Sequence, residues 1–278
     1  MRILRLPADY YQQFDADFSR DVPGEGYGGW KRTEIEIAAE HTAVVVLHAW
    51  DCGTREQYPG THRACEYIPR SYHICQTVFP PLLEAVRRSP LKLFHVVSTD
   101  SYCRDHPGYQ RTVRLAGPEP EPPPSIGTDP VTQRLRQFRS DHVFPGARNQ
   151  ADQQRLAPHL TFAPEARPLE NEGIAATSHQ LFALCQESQI HHLIYIGFAV
   201  NGCMWLSPGG MVDMQRRGLL CSTIRQAVTA IENRETAREE RNKQNALWYI
   251  ALLFGFVFDA DDLIAALRET QPTGADAR

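Results

Sequence analysis

Three continuous apolar runs predict the central strands of a buried sheet. Thr42–His48 contains Ala-Val-Val-Val-Leu, Leu91–Ser98 is mostly apolar, and His192–Ile196 is apolar after its first residue. Such runs are typical of parallel strands covered on both faces, because a strand with one solvated face alternates apolar and polar residues. Shorter segments that favour strands follow at Glu172–Thr177, Leu219–Thr223 and Gly255–Phe258.

The residues between these runs follow helical spacing. In Tyr72–Arg88 apolar residues recur every three or four positions, and the Pro80-Pro81 pair inside the segment predicts a kink or a restart. Further helices are predicted from Ser178, over Met211–Arg217, over Thr236–Leu253 and from Asp259 onward. Strand and helix alternate, which predicts an α/β fold with a mostly parallel sheet and helices on both faces.

The pattern divides the chain unevenly. Residues 1–40 are expected to form an irregular N-terminal arm, with a turn-rich stretch at Asp21–Gly29 and a short edge strand at Thr33–Ile37. Residues 41–270 then form one domain, interrupted at about 105–168 by an irregular insertion that includes the proline-rich Glu119–Pro124. An insertion of this length is typical of a lid, an oligomer arm or a flexible loop. Residues 271–278 are expected to be a disordered tail.

Composition excludes some classes of partner. The chain has 278 residues, 42% of them apolar, and a formal net charge of −4, so it has a core but no basic field for nucleic acid. No apolar run approaches the roughly 20 residues that span a bilayer, and no export signal is recognised. Seven cysteines without a Cys-x-x-Cys spacing favour reduced thiols in a cytoplasmic protein.

Cys203 is the strongest candidate for chemistry. It lies between the predicted strand ending near Ile196 and the helical pattern beginning near Met211, on a strand-to-helix turn. Unpaired backbone N–H groups at a helix N-terminus stabilise anions, and both a thiolate and an oxyanion are anions. The position therefore suits a nucleophilic cysteine. The alternative is a small buried thiol, the usual state of a free cysteine.

The turn itself, Gly197-Phe-Ala-Val-Asn-Gly-Cys203, resembles the Gly-x-Ala-x-Asn-x-Cys turn of the isochorismatase-like cysteine hydrolases. This superfamily includes nicotinamidases, carbamoylsarcosine amidohydrolases and ureidoacrylate amidohydrolases. Supporting patterns bring the resemblance to about two-thirds of the chain, and they lie at Thr42–Asp51, Pro80–Ser98, Arg217–Ala230 and Phe256–Leu267. The chain is thus identified as a divergent member.

The resemblance implies a three-layer α/β/α sandwich around a six-stranded, doubly wound parallel sheet. It also implies cleavage of an amide or ureido C–N bond in a small molecule, with Cys203 as the nucleophile. Backbone N–H groups of Gly202 and Cys203 would hold the oxyanion, while Asn201 and Val200 would form the turn. A cis peptide is expected at the Val200 bond or its neighbour.

The sequence departs from the family pattern at the other catalytic positions. His48 stands where the family places its aspartate, no lysine lies between Lys92 and Lys243, and Gln226 replaces an acidic residue found in many members. An imidazole takes a thiol proton readily near neutral pH, so His48 is a candidate base, with Asp51 orienting it. The alternatives are a polar histidine at a strand end and a turn aspartate.

Nearby side chains suggest how a ligand would be held. Arg55 and Arg63 could bind a substrate carboxylate through their guanidinium groups, with His62 beside them; each arginine alone is more typical of a solvated surface. A metal set of His48, Asp51, His62 and His95 is the weaker alternative, because their spacing is not diagnostic, and no cofactor is expected.

Two functions remain open at this stage. The first is a cysteine hydrolase that uses Cys203 and His48. The second is a non-catalytic protein of the same fold that binds a small molecule or acts as an oligomeric scaffold. In either case the expected partner is a small molecule, without nucleic acid or membrane, and a homo-oligomer is expected.

Overall fold

The computed structural model describes residues 2–269. The strands are β1 Ile3–Gln12, β2 Gly29–Ala38, β3 Thr42–Leu47, β4 Trp50–Asp51, β5 Lys92–Val96, β6 Thr161–Phe162, β7 Gly173–Ala175, β8 His192–Phe198, β9 Leu220–Thr229 and β10 Val257–Phe258. The helices are α1 Pro59–Ala64, α2 Ile68–Thr77, α3 Phe79–Arg87, α4 Pro107–Ala116, α5 Pro130–His142, α6 Ala147–Leu156, α7 Ser178–Glu187, α8 Cys203–Leu206, α9 Met211–Arg216, α10 Arg241–Leu253 and α11 Ala260–Glu269.

The main sheet has eight strands in the order β2-β1-β10-β9-β8-β3-β5-β7. Every neighbouring pair from β10 to β7 is parallel, which gives six parallel strands. The α/β fold predicted from the sequence is confirmed. The expected strand count of six is wrong for the whole sheet, because β1 and β2 add an antiparallel hairpin beside β10.

Both faces of the sheet are covered, as the continuous apolar runs predict. Along β3, Val44 and Val46 pack into one core with α2, α3 and α11. Ala43, Val45 and Leu47 point the other way, into a core shared with α7, α9 and α10. Every residue of β3 is buried, so a polar substitution on either face would meet apolar side chains. This arrangement is a three-layer sandwich.

The N-terminal arm is more regular than the sequence suggests. Residues 3–12 and 29–38 pair over ten positions as an antiparallel hairpin. Leu4, Leu6 and Ala8 alternate with less buried neighbours and pack into the core beside α3 and α11. Arg32 Nη1 lies 2.7 Å from Asp259 Oδ2, which ties β2 to the residue preceding α11. The described part of this segment, residues 2–40, therefore completes the domain instead of forming an irregular arm.

The insertion at 105–168 also has more structure than predicted. It contains α4, α5 and α6, the short strand β6 and two 3-10 turns. α4 packs against α7 and β7, and α6 packs against α1. β6 pairs with β4 in a separate two-stranded sheet, where Trp50 is opposite Phe162. The predicted disordered tail lies outside the described residues.

The Pro80-Pro81 pair produces a restart. α2 ends at Thr77 and α3 begins at Phe79, with proline in its first turn. Proline is well tolerated there because the first N–H groups of a helix have no intrahelical partner. No helix within residues 2–269 is long and apolar enough to cross a membrane.

Candidate active site

Gly197 sets how closely β8 approaches β3. It is the register partner of Leu47 and has a φ of +115°, in a region that favours glycine. A Cβ on Gly197 would lie 1.9 Å from the Leu47 carbonyl oxygen, far inside contact distance. Both strands end within one residue of this pair. His48 and the turn before Cys203 therefore leave the sheet at the same edge, where ligands bind in open α/β sheets.

Hydrogen bonds to the end of β9 hold the turn after β8. The peptide bond between Phe198 and Ala199 is cis. It comes immediately before the bond that joins Ala199 to Val200. The Val200 N–H donates to the Thr229 carbonyl at 2.9 Å. Asn201 donates through Nδ2 to the Ile231 carbonyl at 2.9 Å and accepts from the Ile231 N–H at 2.8 Å. The contacts of Asn201 are therefore structural ones that hold the turn.

Cys203 begins α8 and is half-buried. The two backbone donors proposed for an oxyanion differ in the structure. The Gly202 N–H already donates to the Ala199 carbonyl at 3.1 Å. The Cys203 N–H has no hydrogen-bond partner among residues 2–269. One free donor, instead of the expected two, is therefore available beside the thiol.

A cavity of about 820 Å³ opens beside Cys203 and is also lined by His48. Its size is within the usual range for small-molecule sites. Most of its wall is apolar and comes from the segment after β3, from the end of β8 and from the insertion, including Trp50, Tyr67, Ile68, Leu156, Leu160 and Phe198. Among the residues that the structure describes, no aspartate, glutamate, lysine or arginine lines this cavity.

His48 is held firmly although its ring makes no hydrogen bond. Its backbone has a φ of +51°, its N–H donates to the Val96 carbonyl at 3.1 Å, and the side chain is 3% exposed. The ring stacks on Trp50 with centroids 4.5 Å apart. Both ring nitrogens are buried without a partner within residues 2–269, so His48 is not hydrogen-bonded to Cys203. Burial lowers the pKa of His48 to about 4, so the imidazole is neutral at pH 7.

Asp51 does not orient His48. Its Oδ1 accepts from the Gly53 N–H at 2.9 Å and from the Tyr72 hydroxyl at 3.3 Å. These are the contacts of a turn aspartate, the alternative that the sequence left open. Trp50 holds the His48 ring in its place, and the Trp50 Nε1–H donates to the Tyr102 hydroxyl at 3.0 Å. Nothing in the sequence indicated this stacking.

The predicted substrate-binding residues lie outside the cavity wall. Arg55 is exposed to solvent. His62 Nε2 is 3.1 Å from the Gly53 carbonyl oxygen, and Arg63 Nε donates to Asn149 Oδ1 at 3.1 Å. Arg63 therefore joins α1 to α6 of the insertion. The structure supplies no contact by which these three side chains would reach a ligand in the cavity.

The residues considered as a metal set do not converge. Within residues 2–269 no group of three or more His, Cys, Asp or Glu side chains is placed to hold a metal ion. His95 is fully enclosed, with Nε2 2.8 Å from Glu172 Oε2, and Arg87 Nε donates to Glu172 Oε1 at 2.7 Å. Burial raises the pKa of Glu172, but these hydrogen bonds outweigh burial and bring it to about 2. Glu172 is therefore ionised and holds His95 in the core.

Two further cysteines line the same cavity. They are Cys52 and Cys65, both free thiols in the segment that follows β3. Burial raises the pKa of Cys52 to about 12 and that of Cys65 to about 11. Burial also raises the pKa of Cys75, Cys103, Cys185 and Cys221. These six thiols are therefore protonated and weakly nucleophilic at neutral pH.

No protein-family model matches the chain, and no curated protein matches it in sequence. Among solved structures it is similar to a cysteine hydrolase from Pseudomonas syringae pv. phaseolicola 1448A, with 14% identity, a TM-score of 0.49, and coverage of 84% of this chain and 95% of that one. The chain is also similar to an isochorismatase family protein from Burkholderia thailandensis, with 15% identity and a TM-score of 0.43. That match covers 83% of this chain and 97% of the other. A third similar structure is N-carbamoylsarcosine amidase from Thermoplasma acidophilum, with 16% identity and a TM-score of 0.40. That match covers 79% of this chain and 96% of the other.

Proposed function

We propose that the protein is a cysteine hydrolase that cleaves an amide or ureido C–N bond in a small molecule. Cys203 is the nucleophile and His48 is the general base. The observation that carries the proposal is one cavity lined by both residues. In it, neither ring nitrogen of the neutral His48 has a hydrogen-bond partner within the described chain. The resemblance of the Gly197–Cys203 turn to that of the isochorismatase-like hydrolases supports the same chemistry.

The first half of the reaction transfers the acyl group to sulfur. Cys203 Sγ attacks the carbonyl carbon while its proton passes to a ring nitrogen of His48. The carbonyl oxygen becomes an oxyanion and accepts a hydrogen bond from the Cys203 N–H. The C–N bond then breaks, and the nitrogen leaves as an amine that carries the proton returned by His48. A thioester remains on the enzyme, or a thiocarbamate where the substrate is a ureido compound.

The second half of the reaction consumes one water molecule. His48 removes a proton from the water as its oxygen attacks the thioester carbon. The C–S bond breaks, and the sulfur recovers a proton from His48. The products are a carboxylic or carbamic acid and the free thiol, so the net reaction is hydrolysis.

Amine release from a panel of carboxylic amides and ureido compounds tests this proposal. Cys203→Ala should abolish turnover, and His48→Asn should lower kcat by roughly 10²–10⁴. Asparagine is a suitable replacement because it tolerates the left-handed backbone at this position. Cys185→Ala is the matched control, since it removes a buried thiol on α7 outside the cavity and should retain most of the activity.

Full turnover by the Cys203→Ala variant would refute the proposal. If the wild-type protein hydrolyses nothing in the panel yet is stabilised by compounds from it, the non-catalytic binding protein becomes the better description. Assembly into a homo-oligomer and a cytoplasmic location stay predictions. An apolar stripe of Val131, Leu135 and Phe138 on α5 is exposed and is consistent with assembly.

A further inference from the structure

The wall of the active-site cavity offers no cation to a ligand at neutral pH. The described lining residues include no Asp, Glu, Lys or Arg, and His48 is neutral because burial lowers its pKa. A buried carboxylate is strongly unfavourable unless a cation or several donors compensate it. The arginines expected from the sequence to supply that cation, Arg55 and Arg63, do not line the cavity. An anionic ligand would therefore lose its hydration without gaining an ionic partner.

The cavity nevertheless has unsatisfied hydrogen-bonding groups in the wall that it shares with the thiol. His48 Nδ1, His48 Nε2 and Thr61 Oγ1 are all buried without a partner within the described chain. Both side chains are at least 96% buried, since His48 is 3% and Thr61 is 4% exposed. A neutral imidazole offers one donor and one acceptor, and a hydroxyl offers both. A ligand with a carbonyl oxygen and an N–H group would satisfy them together.

Part of the cavity wall is apolar and comes from the insertion. Val143 and Phe144, in the turn between α5 and α6, line the cavity while remaining 60% and 57% exposed. The insertion is attached to the segment after β3, because the Asp152 carboxylate on α6 accepts a hydrogen bond from the Gly60 N–H of α1. The free protein thus presents apolar side chains at the mouth of the cavity. A hydrocarbon or aromatic body would cover them and remove their surface from water.

These observations lead to an inference that rests on the proposed function. We propose that the substrate is an uncharged amide with a predominantly apolar body. Its amide group contacts His48, Thr61 and Cys203, and its hydrocarbon part lies against the wall formed by the insertion. Hydrolysis converts the neutral amide into a carboxylic acid, which is ionised at neutral pH. Because no cation lines the cavity, the charged product is expelled.

Alkylation of Cys203 tests this preference without requiring turnover. The probes are iodoacetate, iodoacetamide and N-benzyliodoacetamide, with rates at Cys203 measured by peptide mapping and normalised to the rate of each probe with glutathione. The N-benzyl amide should react fastest and iodoacetate slowest, with roughly a tenfold difference between them. A normalised iodoacetate rate equal to or above that of the N-benzyl amide would overturn the inference.

A matched pair of variants tests whether the cavity wall sets the preference. Phe144→Arg places a cation in the wall, whereas Phe138→Arg adds the same charge at a residue on α5 that is 59% exposed and does not line the cavity. Only Phe144→Arg should raise the normalised iodoacetate rate. Val143→Lys, also in the wall, provides a second variant if Phe144→Arg unfolds. An equal response of the Phe144 and Phe138 variants would contradict the assignment of the wall.

Thermal unfolding of Cys203→Ala provides a readout that does not depend on thiol reactivity. Phenylacetamide and phenylacetate share a skeleton and differ in charge. Phenylacetamide should raise Tm and phenylacetate should not. If neither raises Tm and alkylation shows no preference for the apolar amide, the inference is wrong. Failure of amide hydrolysis with the preference intact would instead refute only the proposed function.

Discussion

Acidification should destabilise the protein in a pH window set by its buried histidines. Burial lowers the pKa of both His48 and His192 from an ordinary value of 6.5 to about 4. His192 Nε2 lies 2.8 Å from Ser222 Oγ in the core. Burial also lowers the pKa of His95, which adds to the effect in the same direction. At mildly acidic pH each of these three rings therefore stays neutral in the folded chain, whereas it binds a proton in the unfolded chain.

The magnitude follows from this difference in proton binding. The contribution of His48 and His192 to the free energy of unfolding is fully present above pH 6.5. It is lost as the pH falls towards 4, because the unfolded chain binds more protons than the folded chain across that interval. Each of His48 and His192 should account for about 2 kcal/mol of the loss by a pH of about 5. Their sum of about 4 kcal/mol is a large part of the roughly 5–15 kcal/mol typical of folded domains. Burial raises the pKa of Glu172, but its hydrogen bonds outweigh burial and lower the pKa of this carboxyl to about 2, so its contribution to stability is lost only when the pH falls below the ordinary glutamate pKa of 4.5.

Urea unfolding at a pH of about 7.5 and about 5 measures the effect. The wild-type protein should lose at least about 4 kcal/mol between the two conditions, while His48→Asn and His192→Asn should each lose about 2 kcal/mol less. The comparison uses the difference between the two pH values, so any loss of packing common to both conditions cancels. An identical pH dependence in the wild type and in both variants would refute the assignment of neutral, buried imidazoles.

Two further substitutions test packing. Gly197→Ala should lower the free energy of unfolding by about 3 kcal/mol or more, because backbone strain and a clash with the facing strand add together. Gly218→Ala also has a positive φ but meets no atom within 4 Å, so it should show strain alone; equal losses would contradict the clash. Glu172→Gln should cost about 3 kcal/mol by weakening the buried partner of Arg87. The exposed control Glu84→Gln should cost under about 1 kcal/mol, and urea unfolding that ranks the two glutamates equally would exclude the buried network.

The central part of the fold could be predicted because its strands are covered on both faces. Burial on both sides requires unbroken apolar residues, and Thr42–His48 shows this pattern directly. The hairpin was missed because its signal is weaker. Leu4, Leu6 and Ala8 do alternate with less buried residues, but Pro7 interrupts the strand pattern and the turn-rich stretch that follows favours irregular structure. Its two strands become regular by pairing with each other over ten positions.

The candidate site could be predicted only as far as the backbone determines it. Cys203 and His48 both follow parallel strands, so their position at one edge follows from the fold. The partners of the other candidates could not be predicted, because they depend on contacts remote in sequence. Asn149, which engages Arg63, lies 86 positions away in the insertion. Likewise, the left-handed backbone at His48 places its ring against Trp50, and sequence spacing does not predict that torsion.

The N-terminal hairpin also governs how the sheet ends. Without it, the sheet would end at β10, a strand of only two residues. The hairpin replaces that edge with β2, on which Lys31, Glu34 and Glu36 are exposed. Charged side chains on an outer strand oppose the addition of further strands. The opposite border, β7, is only three residues long. One side of the sheet is therefore protected from edge-to-edge aggregation by charge, and the other by its short length.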